Sequence, residues 1–308
     1  MKRRIFISNA AMAMAGAAVI GCGKPGETSA TADTTAVKTT PVASSRPMGL
    51  QLYTLRDILK DDTKVKETVK QLVDWGYNEF ETYGYADGKM FGMPAKEFYD
   101  YVASLGARVT SGHYDLSVIQ GDWSTAVSAA KDAGQDYMVL PYINEENRTA
   151  DGYKKIIDAL NKAGEITKQA GIRMGYHNHD FEFKKVKGTG SPTQKESSEK
   201  TGFEILLEGL NPDLVSFEMD IYWVVRAGQS PEEMIAKYPG RFEQWHVKDM
   251  DKTNPENNAD VGTGSIDFKK LFELADQSGL KHWYVEQETY PVDPMSSAKN
   301  SIDYLKTI

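Results

Sequence analysis

The sequence has very little cysteine, since Cys22 is the only one among 308 residues. A lone thiol cannot close an internal disulfide, so a disulfide framework within the chain is excluded. A metal site in the folded part must therefore use nitrogen and oxygen ligands. Positive charge is also in deficit, because 36 Lys and Arg stand against 44 Asp and Glu, for a formal net charge of -8. This balance argues against nucleic acid as a partner.

Long apolar runs are scarce as well, and the one at the N-terminus is typical of a targeting segment. Residues 1–4 are positively charged, and the apolar run at 10–20 is too short to cross a bilayer. A buried N-terminal helix is the structural alternative, but it would need an amphipathic stripe. We therefore expect the chain to be exported.

Two short patterns specify the kind of signal. Arg3 and Arg4 resemble a twin-arginine signal, and the residues from Val19 to Cys22 resemble a lipobox. We predict that residues 1–22 are a lipoprotein signal and that the protein is lipid-anchored in the periplasm or at the cell surface. The membrane is then a partner only through the lipid anchor at Cys22.

The segment at 23–46 consists mostly of Thr, Ala, Ser, Pro and Gly. It has too few large apolar side chains to offset the entropy of ordering, so we predict a flexible tether. The remaining residues, 47–308, have the length of one large α/β domain.

Short β-rich runs alternate with amphipathic helical stretches throughout that domain. They recur every ~30 to 40 residues, which is the length of a strand, a helix and two loops in a (β/α)8 barrel. The eight runs are 49–53, 79–82, 108–113, 137–142, 172–179, 214–221, 243–248 and 282–288. The count predicts an α/β fold, a single-domain TIM barrel.

Helical signals between these runs support a repeated strand–helix unit. Apolar residues form a stripe in 63–75 and in 153–170. Glycines that tolerate positive φ end four helices, at Gly76, Gly106, Gly134 and Gly171. An open doubly wound sheet is the alternative, but no glycine-rich phosphate loop opens the first unit.

One segment, 184–201, is rich in Lys, Ser, Thr and Gly and lacks any periodicity. We predict an enlarged loop after the fifth strand. The sequence leaves open whether it is a lid over the site or a mobile insertion.

Polar residues accumulate at the ends of the last four predicted strands. Residues two apart in a strand share one face, and barrel active sites lie at the carboxyl ends of the strands. The pairs are His177 with His179, Glu218 with Asp220, His246 with Lys248, and Glu286 with Glu288. Four consecutive strands thus bring imidazoles, carboxylates and an amine to one mouth.

A divalent cation is the simplest way to offset the burial of so many charges. Imidazole with carboxylate and no thiolate fits Mn, Zn, Co or Fe(II) and, with less preference, Mg. A single strand-end His is more often a hydrogen-bonded structural group. The convergence of His113, His177, His179 and His246 on predicted strand ends favours a metal site instead.

From Gly49 to the end, the sequence resembles the xylose-isomerase-like TIM-barrel superfamily of sugar isomerases, epimerases and dehydratases. The resemblance rests on the motifs GLQLYTLRD, GYHNHDFEF, FEMDIYWVVRAG, WHVKD and WYVEQE. It implies that Asp220, His246 and Glu286 hold the metal. His177 occupies the place of a fourth ligand, which in isomerases and epimerases of the family is usually Glu.

This replacement bears on the reaction that the resemblance implies. A His at 177 can still bind metal, but it cannot act as one of two acid/base glutamates. The Tyr-His-Asn-His run looks more like the inosose-dehydratase branch, which eliminates water from a keto-cyclitol. At Trp223, epimerases often have a substrate-binding His; an indole there could stack on a sugar or pack on a helix.

The chemistry shared by these reactions is removal of a proton α to a carbonyl. We predict His179 or Glu288 as the base and Lys248 as the group that polarises the carbonyl or donates to the leaving oxygen. Predicted substrate-binding residues are Gln51, Glu81, His113 and Trp223.

The predicted function is therefore a metal-dependent lyase, a dehydratase for a keto-sugar or keto-glycoside, with a small carbohydrate as substrate. A sugar isomerase or epimerase is one alternative, and a non-catalytic carbohydrate-binding barrel at the cell surface is another. The sequence leaves open whether the chain forms a homo-oligomer.

Overall fold

Eight short strands, one from each predicted run, pair in parallel and in chain order, and the last pairs with the first. They are β1 (Gly49–Gln51), β2 (Glu79–Thr82), β3 (Arg108–His113), β4 (Tyr137–Leu140), β5 (Arg173–His177), β6 (Val215–Asp220), β7 (Phe242–Val247) and β8 (His282–Val285). The predicted TIM barrel is confirmed.

The structure, a computed structural model, describes Ala43, residues 45–186 and residues 200–308. The predicted signal at 1–22, most of the tether at 23–46 and most of the loop at 184–201 lie outside these residues. The last tether residues that are described contact the barrel, since the Ala43 N–H donates to the Ile308 carbonyl at 3.0 Å and Arg46 pairs with Asp276 at 2.8 Å. Within the described ranges, no helix has the length and apolarity that a membrane crossing requires.

Helices surround the barrel on its outer face. They are α1 (Arg56–Leu59), α2 (Val65–Trp75), α3 (Ala95–Ser104), α4 (Leu116–Gln120), α5 (Trp123–Asp132), α6 (Ala150–Ala170), α7 (Gly202–Gly209), α8 (Ile221–Arg226), α9 (Pro231–Lys237), α10 (Phe268–Phe272), α11 (Ala275–Ser278) and α12 (Pro294–Leu305). Single 3-10 turns lie at Leu52–Leu55, Glu145–Asn147 and Phe181–Phe183. Two short antiparallel hairpins pair Lys89–Met90 with Met93–Pro94 and Asp249–Met250 with Asn258–Ala259.

Local sequence signals set the helix ends. The Thr149 side chain accepts from the Gly152 N–H, so α6 begins three residues earlier than the predicted Tyr153. The α2 helix begins at Val65 rather than at Thr63, because Lys64 is its N-terminal flanking residue. Gly76 and Gly171 end these two helices with φ of 105° and 81°, as predicted.

Six strands end one to three residues before their predicted runs, and two of these early ends, in β5 and β8, bear on the site. After β8 the backbone leaves the ladder, because the Gln287 N–H donates to Thr54 Oγ1 and the Glu288 N–H donates to Asn258 Oδ1. The β5 strand ends at His177. Consequently His179, Glu286 and Glu288 belong to loops at the barrel mouth, where side chains are free to face a ligand.

The inside of the barrel is polar near its mouth. Buried, hydrogen-bonded side chains from β1, β2, β3, β6 and β7 fill it, namely Gln51, Glu81, Ser111, Glu218, Gln244 and His246. Apolar side chains pack instead between the strands and the helices; Trp245, for example, packs against Phe272 with 5.7 Å between ring centres. This layer of polar groups is the floor on which the site is built.

Candidate metal centre and active site

The four predicted metal ligands come together at the mouth. His177 ends β5, Asp220 ends β6, His246 lies in β7 and Glu286 follows β8. All four side chains are buried, and one ligand atom from each lies within 4.8 Å of the others. We call this group the metal cluster.

Two atoms of the metal cluster are buried without a hydrogen bond to any described residue: His177 Nε2 and Asp220 Oδ2, 3.4 Å apart. Their partner atoms are engaged, because His177 Nδ1 donates to the Pro141 carbonyl at 3.2 Å and Asp220 Oδ1 accepts from the Trp223 N–H at 3.0 Å. This arrangement leaves the Nε2 lone pair and one carboxylate oxygen facing each other. Buried polar atoms without partners are rare, and a shared cation would satisfy both.

The charges around these atoms also favour a cation. The Lys248 amine lies 3.0 Å from Glu286 Oε2 and 3.5 Å from Asp220 Oδ2, and it bonds Glu288 as well. Burial lowers the pKa of this amine, but the carboxylates of Glu286, Asp220 and Glu288 outweigh burial and raise it well above its usual value. Burial likewise lowers the pKa of His246, and Glu218 and Glu286 raise it well above the usual value. Carboxylates therefore dominate the potential at the mouth.

A second group of four lies one layer deeper and shares His246. Its members are Glu81, His113, Glu218 and His246, and we call it the inner cluster. The His246 Nε2 lies 2.7 Å from Glu81 Oε2, while Nδ1 of the same ring lies 3.0 Å from Glu286 in the metal cluster. The inner contact holds the ring so that Nδ1 faces the metal cluster.

The inner cluster is closed by hydrogen bonds. His113 Nε2 lies 2.9 Å from Glu218 Oε2 and 3.1 Å from Glu81 Oε2. Although burial raises the pKa of Glu81, the two histidines lower it well below its usual value. Burial and the charge of Glu81 instead raise the pKa of Glu218. Glu81 is therefore the anionic member, and Glu218 binds a proton more readily.

A cavity of about 460 Å³ opens above the two clusters. Five of the predicted site residues line it: His113, His177, His179, Glu286 and Glu288. The other lining residues are Tyr53, Tyr83, Gly84, Asp115, Pro141 and Tyr142. The metal cluster thus contributes two side chains to the cavity surface.

Gln51 and Glu81, predicted to bind substrate hydroxyls, do not line this cavity. Both are fully buried, and Gln51 Nε2 donates to Glu81 Oε2 at 2.7 Å while Ser111 Oγ donates to Glu81 Oε1 at 2.6 Å. Their hydrogen-bonding capacity is used inside the barrel. The structure therefore gives them a supporting position below the metal cluster.

Lys248 and Trp223 also lie behind the cavity wall. The Lys248 side chain is fully buried, with its amine 5.2 Å from the centre of the Trp223 ring. The Trp223 indole packs against His179, at 5.3 Å between ring centres, and against Tyr222 at 4.9 Å. Packing is therefore the arrangement that the structure shows for Trp223, rather than an open stacking surface.

His179 has the environment of an uncharged imidazole. Its ring stacks on Phe181 at 5.6 Å and lies edge-on to Tyr142 at 5.1 Å. Burial, with the charges of His177 and Lys248, lowers the pKa of His179 well below its usual value. The Glu182 side chain accepts the His179 backbone N–H at 2.9 Å and fixes the loop. His179 therefore presents an unprotonated ring to the cavity at neutral pH.

Sequence reasoning missed the tyrosines that line the cavity. Tyr53 lies two residues beyond β1 and Tyr142 two residues beyond β4, and Tyr83 directly follows β2. An aromatic residue just after a strand could have indicated a cavity-lining position, but many such residues pack into the protein core instead. Only the fold distinguishes the two cases.

Comparisons with known proteins agree with this architecture. The family described as xylose isomerase-like TIM barrel matches residues 70–308. A sugar phosphate isomerase/epimerase from Parabacteroides distasonis has a solved structure that is 29% identical, with a TM-score of 0.71, covering 89% of this chain and 97% of that one.

Two further similar proteins are a curated relative and a solved structure. An inosose dehydratase from Clostridium beijerinckii is 26% identical over 226 residues, 67% of each chain. The solved structure of the IOLI protein with a bound zinc atom is 15% identical, with a TM-score of 0.59 and coverage of 85% of this chain and 96% of that one; at this identity it supports the fold alone.

The sequence-based assignment is thus confirmed at the level of family and fold, and the relatives support an enzyme of the sugar isomerase and epimerase kind. The buried His and Glu residues form a potential metal site. Because the family match spans well over half of the chain, this protein belongs to the xylose isomerase-like TIM barrel family.

Proposed function

We propose that this protein is a divalent-metal-dependent lyase that removes the proton α to the carbonyl of a keto-sugar or keto-glycoside and eliminates the β-oxygen substituent. One observation carries the proposal: the unpartnered His177 Nε2 and Asp220 Oδ2 lie 3.4 Å apart in a four-ligand cluster at the cavity floor. The similarity to an inosose dehydratase supports elimination over other reactions of the family.

His177, Asp220, His246 and Glu286 would hold the metal. Their nitrogen and oxygen atoms fit Mn, Zn, Co, Fe or Mg, and the resident metal is part of the proposal. When bound, a divalent cation supplies Lewis-acid polarisation of the substrate carbonyl. Glu81 and Pro141 orient two of the ligands, through His246 Nε2 and His177 Nδ1.

His179 is the proposed base. It lines the cavity, and its depressed pKa keeps the ring free to accept a proton at neutral pH. The proton that it takes from the α carbon can then be donated to the departing oxygen, which balances the elimination. Glu288 also lines the cavity and is the second candidate base.

Lys248 acts from behind this surface. Its protonated amine bonds Glu286 and Glu288, so it positions one proposed ligand and one cavity carboxylate rather than touching substrate. The predicted direct contact of Lys248 with the leaving oxygen is therefore replaced by a positioning role. A Lys248→Met variant should lower metal affinity and turnover together.

The test combines metal analysis with NMR in heavy water. The purified protein should contain one divalent ion per chain, and a keto-sugar or keto-glycoside screen should show loss of the α proton with release of water or alcohol. Deuterium incorporation without such release would instead identify an isomerase or epimerase. Sugar binding with neither metal nor exchange would overturn the enzyme proposal in favour of a binding barrel.

We also propose that the protein is exported and anchored by a lipid on Cys22, on the basis of its N-terminal sequence. A Cys22→Ala variant should lose incorporation of labelled fatty acid and leave the membrane fraction. Recovery of unprocessed, cytoplasmic protein carrying residues 1–22 would contradict export.

A further inference from the structure

Aromatic rings stand exposed at the cavity mouth. Within the described ranges, three large apolar side chains are exposed: Tyr53 at 38%, Tyr142 at 45% and Val292 at 82%. Both tyrosines line the cavity that contains the metal-cluster residues His177 and Glu286, whereas Val292 does not. Exposure of apolar surface is thus associated with this cavity.

The Tyr53 ring is held in place despite its exposure. The Arg56 guanidinium lies 4.7 Å from the ring centre, and the Tyr83 ring meets it edge-on at 5.1 Å. Arg56 in turn donates to the Glu288 carbonyl at 2.7 Å and to the Tyr290 hydroxyl at 2.8 Å. The ring is therefore fixed to the loop after β8, which carries the cavity carboxylates.

The Tyr142 ring, which follows β4 in the chain, is held by a similar arrangement. Arg148 donates to its hydroxyl, and the guanidinium lies 5.0 Å from the ring centre. The rings of His179 and Phe181 meet it edge-on at 5.1 Å and 5.4 Å. A ring that is already ordered loses little entropy when a ligand packs on it, so both tyrosines are suited to binding.

The cavity is larger than a ligand bound only at its floor would need. Its volume of about 460 Å³ lies within the range of roughly 300–1,000 Å³ that is typical of small-molecule sites. Its floor is formed by metal-cluster side chains and His179, and its outer wall by Tyr53 and Tyr142. A ligand bound at the floor can therefore extend between the exposed aromatic rings.

We propose that Tyr53 and Tyr142 form an outer subsite that binds a second ring, attached to the sugar that occupies the metal end of the cavity. The substrate class is then a keto-glycoside rather than a free keto-monosaccharide. Ring faces rich in C–H groups, or aryl faces, pack on tyrosine through apolar contact. This inference rests on the proposed function for the inner sugar but not on the reaction type.

The test compares two probes that differ only in the second ring, methyl β-glucoside and phenyl β-glucoside, by titration calorimetry on the purified full-length protein. We expect the phenyl compound to bind about tenfold more tightly, the scale of one good aromatic contact. Tyr53→Ala should abolish most of that preference, and Tyr142→Ala should reduce it. Tyr53→Phe, which keeps the ring, should retain it.

Val292→Ala is the matched control, because Val292 is exposed but lies outside the cavity. Equal affinity for the two probes, binding of neither, or a preference unchanged in both alanine variants would overturn the outer subsite. The reaction is judged separately, by α-proton exchange of keto-glycosides. Exchange without a phenyl preference would remove the subsite alone, and a preference that depends on Tyr53 without exchange would remove the reaction alone.

Discussion

His246 belongs to two groups of similar composition with different bonding. In the inner cluster, its Nε2 and that of His113 lie 2.7–3.3 Å from the Oε2 atoms of Glu81 and Glu218. In the metal cluster, His177 Nε2 and Asp220 Oδ2 make no hydrogen bond to the described part of the chain. The two groups adjoin each other, so burial alone cannot explain the difference.

The difference separates a supporting network from a binding site. Imidazole and carboxylate that pair with each other stabilise one arrangement and leave no free ligand atom. The exception in the inner cluster is Glu218 Oε1, which is buried without a partner and belongs to the carboxyl group whose pKa is raised. Glu218 Oε1 thus belongs to a carboxyl that favours binding a proton, whereas Asp220 Oδ2 faces His177 Nε2 at 3.4 Å and the Lys248 amine at 3.5 Å.

Asp220→Asn is the substitution that we expect to lower metal affinity most. Asparagine keeps an oxygen that can accept the Trp223 N–H at the start of α8, but it removes the charge from the metal cluster. We expect metal affinity to fall by more than about a hundredfold, because even residues that only support a ligand cost about 10–100-fold. Turnover should be lost with the metal.

Asp293→Asn is the matched control, since Asp293 caps α12 in the same way, accepting the Ser296 N–H at 2.9 Å, and does not belong to the metal cluster. That variant should retain full metal content. Equal metal content in Asp220→Asn and the wild type, measured by elemental analysis after dialysis, would contradict the ligand assignment.

Glu81→Gln, in the inner cluster, should lower metal affinity by a smaller factor. It removes the carboxylate that pairs with His246 Nε2 at 2.7 Å, so the ring loses its orientation toward Glu286. We expect a 10–100-fold loss of metal affinity, roughly the usual effect of losing a carboxylate behind a ligating histidine. Competition with a chelator of known affinity measures it.

The neighbouring residue Glu79 provides the control on the same strand. Its carboxylate lies 2.7 Å from His282 Nδ1, in a carboxylate–histidine pair that does not contribute to either cluster. Glu79→Gln should therefore lower stability without changing metal affinity. If both variants bind metal equally well, the inner cluster does not orient His246.

Periodicity and the polar residues at strand ends predicted the barrel and the gathering of polar side chains at its mouth, whereas the choice of metal ligands among them came from the family resemblance. The inner cluster could not be predicted from the sequence in the same way. Glu218 and Asp220 lie two residues apart on one face, yet they belong to different clusters. Alternation determines the face of a strand but not the depth at which a side chain meets residues from other strands.

Depth depends on how the strands are staggered. Gln51, Glu81 and Ser111 are register partners across β1, β2 and β3, which places their side chains in one interior layer. The exposure of Tyr53 and Tyr142 depends in the same way on distant arginines, Arg56 and Arg148. These features require tertiary contacts that no local pattern encodes.

Glu182 lies outside both clusters, so its replacement should leave the metal site almost unchanged. It is a third kind of buried carboxyl, bonded only by neutral groups: the Tyr176 hydroxyl at 2.5 Å and the His179 backbone N–H at 2.9 Å. Burial raises the pKa of Glu182 to about 7, whereas Glu81 and Glu286, next to cationic partners, have lowered pKa values. At Glu81 and Glu286 the cationic partners outweigh the effect of burial on the pKa.

The raised pKa of Glu182 makes the stability of the fold depend on pH. Between the unfolded pKa of ~4.3 and the folded value, the native state binds more protons than the unfolded state, so Glu182 stabilises the fold below ~4.3 and this contribution is lost as pH rises to about 7. Glu182→Gln cannot titrate. Relative to the wild type, the variant should gain up to about 3 kcal/mol in unfolding free energy between pH 4.5 and 8.

Urea unfolding of the metal-free proteins across that range measures the effect. Glu204→Gln is the control of opposite sign, because backbone bonding at Thr201 lowers the pKa of Glu204, so its contribution is lost as pH falls. Parallel stability curves for the wild type and Glu182→Gln would mean that Glu182 is ionised throughout. In that case a carboxylate can remain charged in this barrel without a cation. Carboxylate oxygen atoms without a partner would then no longer indicate a metal site.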